Sequence, residues 1–189
     1  SEKTTTATDF LAASYLDGVR REFELTLDEF SHFDEDSPKR LTDAARYSLL
    51  APGKRIRPTL VLLAAELCGG KREQAKKAAV AVEAIHAYSL IHDDLPCMDN
   101  DDLRRGKPTN HKVYGEATAV LAGDALLTNA FLAASLNTEV SDNTNNTAIK
   151  LISTAAGDAG MIGGQITDMD GEKKQLEFDE LLALHSMKT

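Results

Sequence analysis

The segment Leu90-Ile91-His92-Asp93-Asp94-Leu95-Pro96-Cys97-Met98-Asp99-Asn100-Asp101-Asp102-Leu103-Arg104-Arg105-Gly106 joins an apolar, helix-periodic run to a burst of charge. Five carboxylates fall within ten residues, and two arginines follow. Read as a helix over 72–94, closed by Pro96, the run places Glu83, His86, Asp93 and Asp94 on one arc about 100° wide. A helix C-terminus carries partial negative charge, so carboxylates there are each disfavoured by about 0.3–1 kcal/mol. A bound divalent cation reverses that sign. Arginines beside such a cation point to an anion that the metal bridges, and a diphosphate fits best. Zinc fits poorly, because His86, His92 and Cys97 lack a compact ligand spacing. A helix–loop–helix calcium site would need a Glu at its twelfth position, which is absent. A merely solvated acidic loop explains less well why the cluster follows an apolar helix and precedes Arg104-Arg105.

Working outward, the periodicity predicts helices over 8–31, 41–50, 59–67, 72–94, 116–136 and 147–168, with a last one starting near Phe178. In the first, Phe10, Leu11, Leu16, Val19, Phe23, Leu27 and Phe30 keep helical spacing. A basic turn, Gly53-Lys54-Arg55-Ile56-Arg57-Pro58, lies between the second and third. Residues 96–111 read as an acidic and basic loop, and Thr138–Thr147 as a polar, Asn-rich one. No alternating strand pattern and no internal repeat stand out, so the expected architecture is a single all-α domain over 1–189.

Composition agrees. The 189 residues are 42% hydrophobic and only 5% aromatic, without Trp, which favours helix over sandwich. A formal charge of -9 argues against a nucleic-acid partner. Cys68 and Cys97 are too few for a disulfide framework, and they predict a reducing, cytoplasmic setting. Cys68 is assigned to the core, Cys97 and Met98 to spacer roles. No uninterrupted apolar run reaches ~18 residues, so no membrane span is expected. Ser1–Asp9 lacks a basic-then-apolar signal pattern.

Asp93-Asp94-Leu95-Pro96-Cys97-Met98-Asp99 followed by Arg104-Arg105-Gly106-Lys107-Pro108-Thr109 resembles the first aspartate-rich motif of the trans-isoprenyl diphosphate synthases. Five further segments fit in order. They are the basic turn at 53–58, Glu83-Ala84-Ile85-His86, Leu121-Ala122-Gly123-Asp124-Ala125-Leu126, Gly163-Gly164-Gln165 and Leu184-His185-Ser186-Met187-Lys188-Thr189. The four residues between Asp94 and Asp99 match the short-chain bacterial and plastid-type members. The resemblance implies the isoprenoid synthase fold, with helices around a central cavity, and a homodimer. It also implies a reaction that joins isopentenyl diphosphate to an allylic diphosphate.

By resemblance, Asp93, Asp94 and Asp99 hold Mg2+, with Mn2+ as a substitute. Arg104 clamps the allylic diphosphate, and Lys188 and Thr189 contact it. Arg105, Lys54, Arg57 and His86 form the isopentenyl diphosphate pocket, which has no metal and so needs direct cationic donors. Arg55 alternates with these residues and is expected to face solvent. Gln165 lies near the reacting carbons, with Asp168 one turn on; close helix packing is the competing reason for the two glycines before it. Chain length is set in this family just before the first aspartate, where Tyr88 and Ser89 stand. The bulk of Tyr88 favours the C15 product, farnesyl diphosphate, over the C20 geranylgeranyl product.

The family's second aspartate-rich motif has no counterpart here, since Asp168-Met169-Asp170 lacks its paired start. The 189 residues alone are therefore expected to turn over weakly or not at all. Two other readings compete. A non-catalytic partner subunit would usually lose the aspartates, which this chain keeps. A terpene cyclase would not need the second diphosphate pocket of Lys54, Arg57 and His86.

Overall fold

The computed structural model describes residues 7–171 together with Leu182, Ser186 and Met187. The elements run α1 (Ala7–Phe30), α2 (Lys39–Leu49), α3 (Ile56–Leu67), α4 (Arg72–Asp93), β1 (Leu103–Arg104), β2 (Lys107–Pro108), α5 (Asn110–Tyr114), α6 (Glu116–Ser135), α7 (Asp142–Ala156) and α8 (Met161–Gly171). The chain forms two compact units, 1–140 and 141–189.

In the first unit α4 is the central helix, packed chiefly against α6 and α3. Its buried residues, among them Ala79, Val80, Ala81, Ala84, Ala87, Tyr88 and Ile91, surround the axis rather than forming one stripe. Small side chains on α6 (Ala119, Ala122, Gly123, Ala130, Ala133) meet it and let the two axes approach. Among the α1 side chains described, those of Val19, Phe23 and Leu27 are buried, at i, i+4, i+8; each fully buried side chain contributes about 1.5–3 kcal/mol. Leu11 and Leu16, expected on that stripe, are exposed.

The first turn of α4 is stapled by charge. Arg72 Nε and Nη1 donate to Glu66 Oε1 (2.7 Å) and Glu22 Oε2 (2.8 Å), and Nη2 donates to the Tyr15 hydroxyl (2.9 Å). Lys76 adds a pair to Glu22 at 2.9 Å. This network ties α1 and α3 to the start of α4.

Four expectations need correction. A two-stranded antiparallel hairpin, paired Leu103↔Pro108 and Arg104↔Lys107, lies where only loop was expected. Its two-residue turn, Arg105-Gly106, has both φ angles positive (52° and 78°), the type I′ geometry that matches strand twist. Two residues per strand are too few to show an alternating pattern. The predicted 147–168 helix is broken between α7 and α8, where Gly157 leaves the helix with an extended backbone and Gly160 approaches the Ala155 carbonyl closer than a Cβ would allow. The Asn-rich loop instead starts α7 early: Ser141 Oγ accepts the Thr144 N–H at 3.2 Å, an N-cap that anchors the first turn. Cys68 is exposed rather than in the core, because it caps the end of α3, where Gly69-Gly70 turns the chain away. The helix expected from Phe178 falls outside the described residues.

Averaged over its length, α6 is long and apolar enough to cross a bilayer, although no single uninterrupted run is. Its alanine face is nonetheless buried in the first unit.

Candidate active site

The last turn of α4 ends in Asp93, and Asp94 follows as its cap. Asp94 is buried (3% exposed), a costly place for a carboxylate without a partner. Its partner is Arg104 on β1. Nε donates to both carboxylate oxygens (3.0 and 2.9 Å), and Nη2 donates to Oδ1 at 2.6 Å. That bond holds the Arg104 pKa above its usual value. Beyond Asp94 the chain doubles back: Asn100 takes a left-handed φ of 54°, and the Asp99 N–H donates to the Asp93 carbonyl at 2.9 Å. The third aspartate of the motif is thereby returned to the first, as its position past Pro96 allowed.

Around the same end of α4 lies a pocket of about 100 Å3. Glu83, His86, Ala87, Leu90 and Asp94 form its α4 wall; Arg55, Arg104 and Arg105 face them from the basic turn and the hairpin. The His86 pKa is pushed down to about 4, first by burial, then by the positive charges of Arg57, Arg105, Arg104 and Arg55. His86 is thus neutral at pH 7, in a field that attracts anions. Arg105 is anchored by donating from Nη1 to the Pro52 carbonyl at 2.6 Å. Gly53 leaves room for this arrangement: a Cβ there would lie 2.7 Å from Arg105 Nη1, so the Arg105 guanidinium would have to shift.

The tertiary structure therefore brings His86, Arg57, Arg104 and Arg105 within mutual electrostatic reach. Lys54 stands exposed on the same turn. Ser89 donates its hydroxyl to the His86 carbonyl at 2.9 Å. Tyr88 is buried, with its ring edge-on to His92 at 5.6 Å, and its hydroxyl has no hydrogen-bond partner among the described residues. Gln165 and Asp168 lie on α8 in the second unit. Lys188 and Thr189 fall outside the described residues.

Arg55 contradicts expectation. It is 6% exposed, not solvent-facing. Its left-handed backbone (φ 49°) turns the side chain inward. There Nη1 donates to Glu83 Oε1 (2.6 Å), Nε to Glu24 Oε1 (2.8 Å) and Nη2 to the Ala51 carbonyl (2.9 Å). A signal was present in the sequence: Glu83 on an apolar helix needs a cation when buried. Asn110 was also missed. Its Nδ2 donates to the Ala44 carbonyl and to Ser48 Oγ, both at 2.8 Å, tying the segment after the hairpin to α2.

Among the described residues no three Asp, Glu, His or Cys side chains converge as a ready-made metal cage. Mg2+ commonly takes one or two carboxylates and completes its shell with water and phosphate oxygens. The donors here are hard carboxylate oxygens on consecutive and folded-back positions, so the residues fit such an ion.

Residues 38–189 match the family model described as polyprenyl synthetase. The farnesyl diphosphate synthase of Bacillus subtilis (strain 168) is 51% identical over 156 residues, covering 82% of this chain and 53% of the relative. Geranylgeranyl pyrophosphate synthase 7, chloroplastic, of Arabidopsis thaliana is 49% identical over 177 residues, covering 91% and 50%. A crystal structure of an FPP/GFPP synthase from Zymomonas mobilis, in its apo state, superposes with a TM-score of 0.88 at 39% identity, covering 94% of this chain and 65% of that one. The chain spans about half the length of the curated relatives it matches. With the acidic end of α4, the cationic pocket beside it and these likenesses together, the chain belongs to the polyprenyl synthetase family and has the isoprenoid synthase fold.

Proposed function

We propose that this chain serves a prenyltransferase that condenses isopentenyl diphosphate head-to-tail with dimethylallyl or geranyl diphosphate, yielding farnesyl diphosphate and releasing diphosphate. One observation carries the reading. His86 feels Arg57 and Arg105 from two separate segments, at the same end of α4 that presents Asp93 and Asp94. A cationic pocket and an acidic cluster side by side suit two diphosphates, one held directly and one through a metal.

Mg2+, or Mn2+ in its place, held by Asp93, Asp94 and Asp99, would neutralise charge on the leaving diphosphate. Arg104 lies against Asp94, which supports its sharing that oxygen-rich anion. Arg105, Arg57, Lys54 and neutral His86 would hold isopentenyl diphosphate by direct donors. The allylic C–O bond breaks, the isopentenyl double bond attacks the resulting cation, and a proton leaves the new product. Fixed cations at the departing oxygen lower the barrier because they need no reorganisation as charge develops. Gln165, Lys188 and Thr189 are assigned to the allylic side by resemblance. We read the working form as a cytoplasmic homodimer.

Tyr88 is the proposed floor for the growing chain, supported by its burial. A geranylgeranyl product is the second reading, favoured by the 49% identity to the Arabidopsis protein of that name. The test is incubation of the protein at its native length with isopentenyl and allylic diphosphates and Mg2+, followed by chromatography of the dephosphorylated products. C15 alcohol is expected, and Tyr88→Ala should shift it to C20 or longer. Absence of incorporation with either ion would reject the enzyme reading. C20 from the unaltered protein would select the second one.

A further inference from the structure

We propose that Arg55 is a positioning residue for the pocket that binds a diphosphate without metal, acting through Glu83, Glu24 and the Ala51 carbonyl rather than by touching the ligand. The inference rests on the functional reading above.

Three facts about placement support it. Arg55 sits between Lys54 and Arg57, both exposed, while its own side chain is buried and takes no part in the exposed face. Its left-handed backbone (φ 49°) is a strained conformation that persists only where the surroundings over-determine it. Those surroundings are three acceptors from three different segments. Glu24 is on α1, Ala51 follows α2, and Glu83 is on α4, one turn before His86.

The consequence is geometric. Glu83 and His86 are three residues apart on one helical face. A rigid fork from Arg55 to Glu83 therefore sets the height of the basic turn against His86. Pro52, immediately before that turn, supplies the carbonyl that anchors Arg105, and Gly53 gives Arg105 room. The turn thus carries Lys54 and Arg57, and orients Arg105 and His86, from one buried guanidinium. Burial opposes the charge on Arg55, but the bonds to Glu24 and Glu83 outweigh it and raise its pKa. It stays cationic and cannot slip out of the network by losing a proton.

Arg55→Lys keeps the charge but not the planar five-donor fork. We expect it to weaken metal-free isopentenyl diphosphate binding about tenfold or more, read by calorimetry with a chelator present. In turnover, KM for isopentenyl diphosphate should rise while kcat and the allylic KM stay close to the unaltered values. Glu24→Gln, which leaves the buried Glu83 bond in place, should give a smaller loss of about threefold. Arg72→Lys serves as the control: it should lower the melting temperature and leave isopentenyl diphosphate affinity unchanged. If folded Arg55→Lys binds as the unaltered protein does, the proposal is overturned. If Arg55→Lys fails to fold, Glu24→Gln decides, and unchanged affinity there overturns it too. If the unaltered protein shows no saturable binding of isopentenyl diphosphate, the functional reading itself fails, a result distinct from the first two.

Discussion

The two ends of α4 use the same chemistry for different purposes. At its first turn, Arg72 and Lys76 meet Glu22, Glu66 and Glu73, each cation satisfied by carboxylates within 3.2 Å. Burial opposes the charge on Arg72, and its bonds to Glu22, Tyr15 and Glu66 overcome that, raising its pKa. The network closes on itself. At the last turn, Asp94 and Arg104 also pair, but Arg57, Arg105, Arg104 and Arg55 all bear on a half-buried histidine. All three non-glycine residues with positive φ among the described residues, Arg55, Asn100 and Arg105, lie at this second end. A balanced ion network holds helices together. At the second end, strained backbone and the arginine field on His86 are what support the proposed diphosphate site.

That contrast can be broken most decisively at Asp94. Asp94→Asn removes charge from the proposed metal-binding end and leaves Arg104 without its ionic partner. Steady-state kinetics should show kcat falling by about 10²–10³-fold, comparable to losing one preorganised charge-stabilising group. A loss of less than tenfold would mean that the acidic end is structural, like the first turn.

Gly53→Ala probes the cationic side. The added Cβ pushes on Arg105 Nη1, so KM for isopentenyl diphosphate should rise about tenfold, with the allylic KM unchanged. An equal rise in both would show that the basic turn does not separate the two diphosphates.

The smallest effect concerns pH. His86 has a folded-state pKa near 4 against 6.5 for the free side chain. Between those values the unfolded chain takes up a proton that the folded chain refuses, so stability contributed at neutral pH is lost as pH falls through that window. Thermal melts from pH 7 to pH 4 should fall more steeply for the unaltered protein than for His86→Gln. Identical slopes would mean that burial and the arginine field do not hold the His86 pKa down. Saturating inorganic diphosphate should flatten the slope of the unaltered protein, because a bound anion makes the imidazolium affordable.

Much of this was legible in the residues themselves. The apolar period of 72–94, stopped by Pro96, placed Asp93 and Asp94 at a helix end, and the structure ends α4 at Asp93. Charge type and order alone paired an acidic cluster with a double arginine. The hairpin at 103–108 was not legible, because two residues per strand carry no period. The break between α7 and α8 was hidden for another reason: glycines inside a periodic run read equally as helix or as close approach.

By itself, then, the sequence determined the all-helical class and the acidic helix end, and its ordered motifs carried the resemblance to the family. The first two follow from local periodicity and side-chain chemistry, which neighbouring residues decide among themselves. Only the tertiary structure decided that Arg55 turns inward while Lys54 and Arg57 stay out, and that Arg104 closes on Asp94. The partners of Arg55, Glu24 and Glu83, lie 31 and 28 residues away along the chain. Which of three adjacent cations a buried carboxylate claims depends on backbone φ and on three-dimensional reach, and no one-dimensional pattern records either.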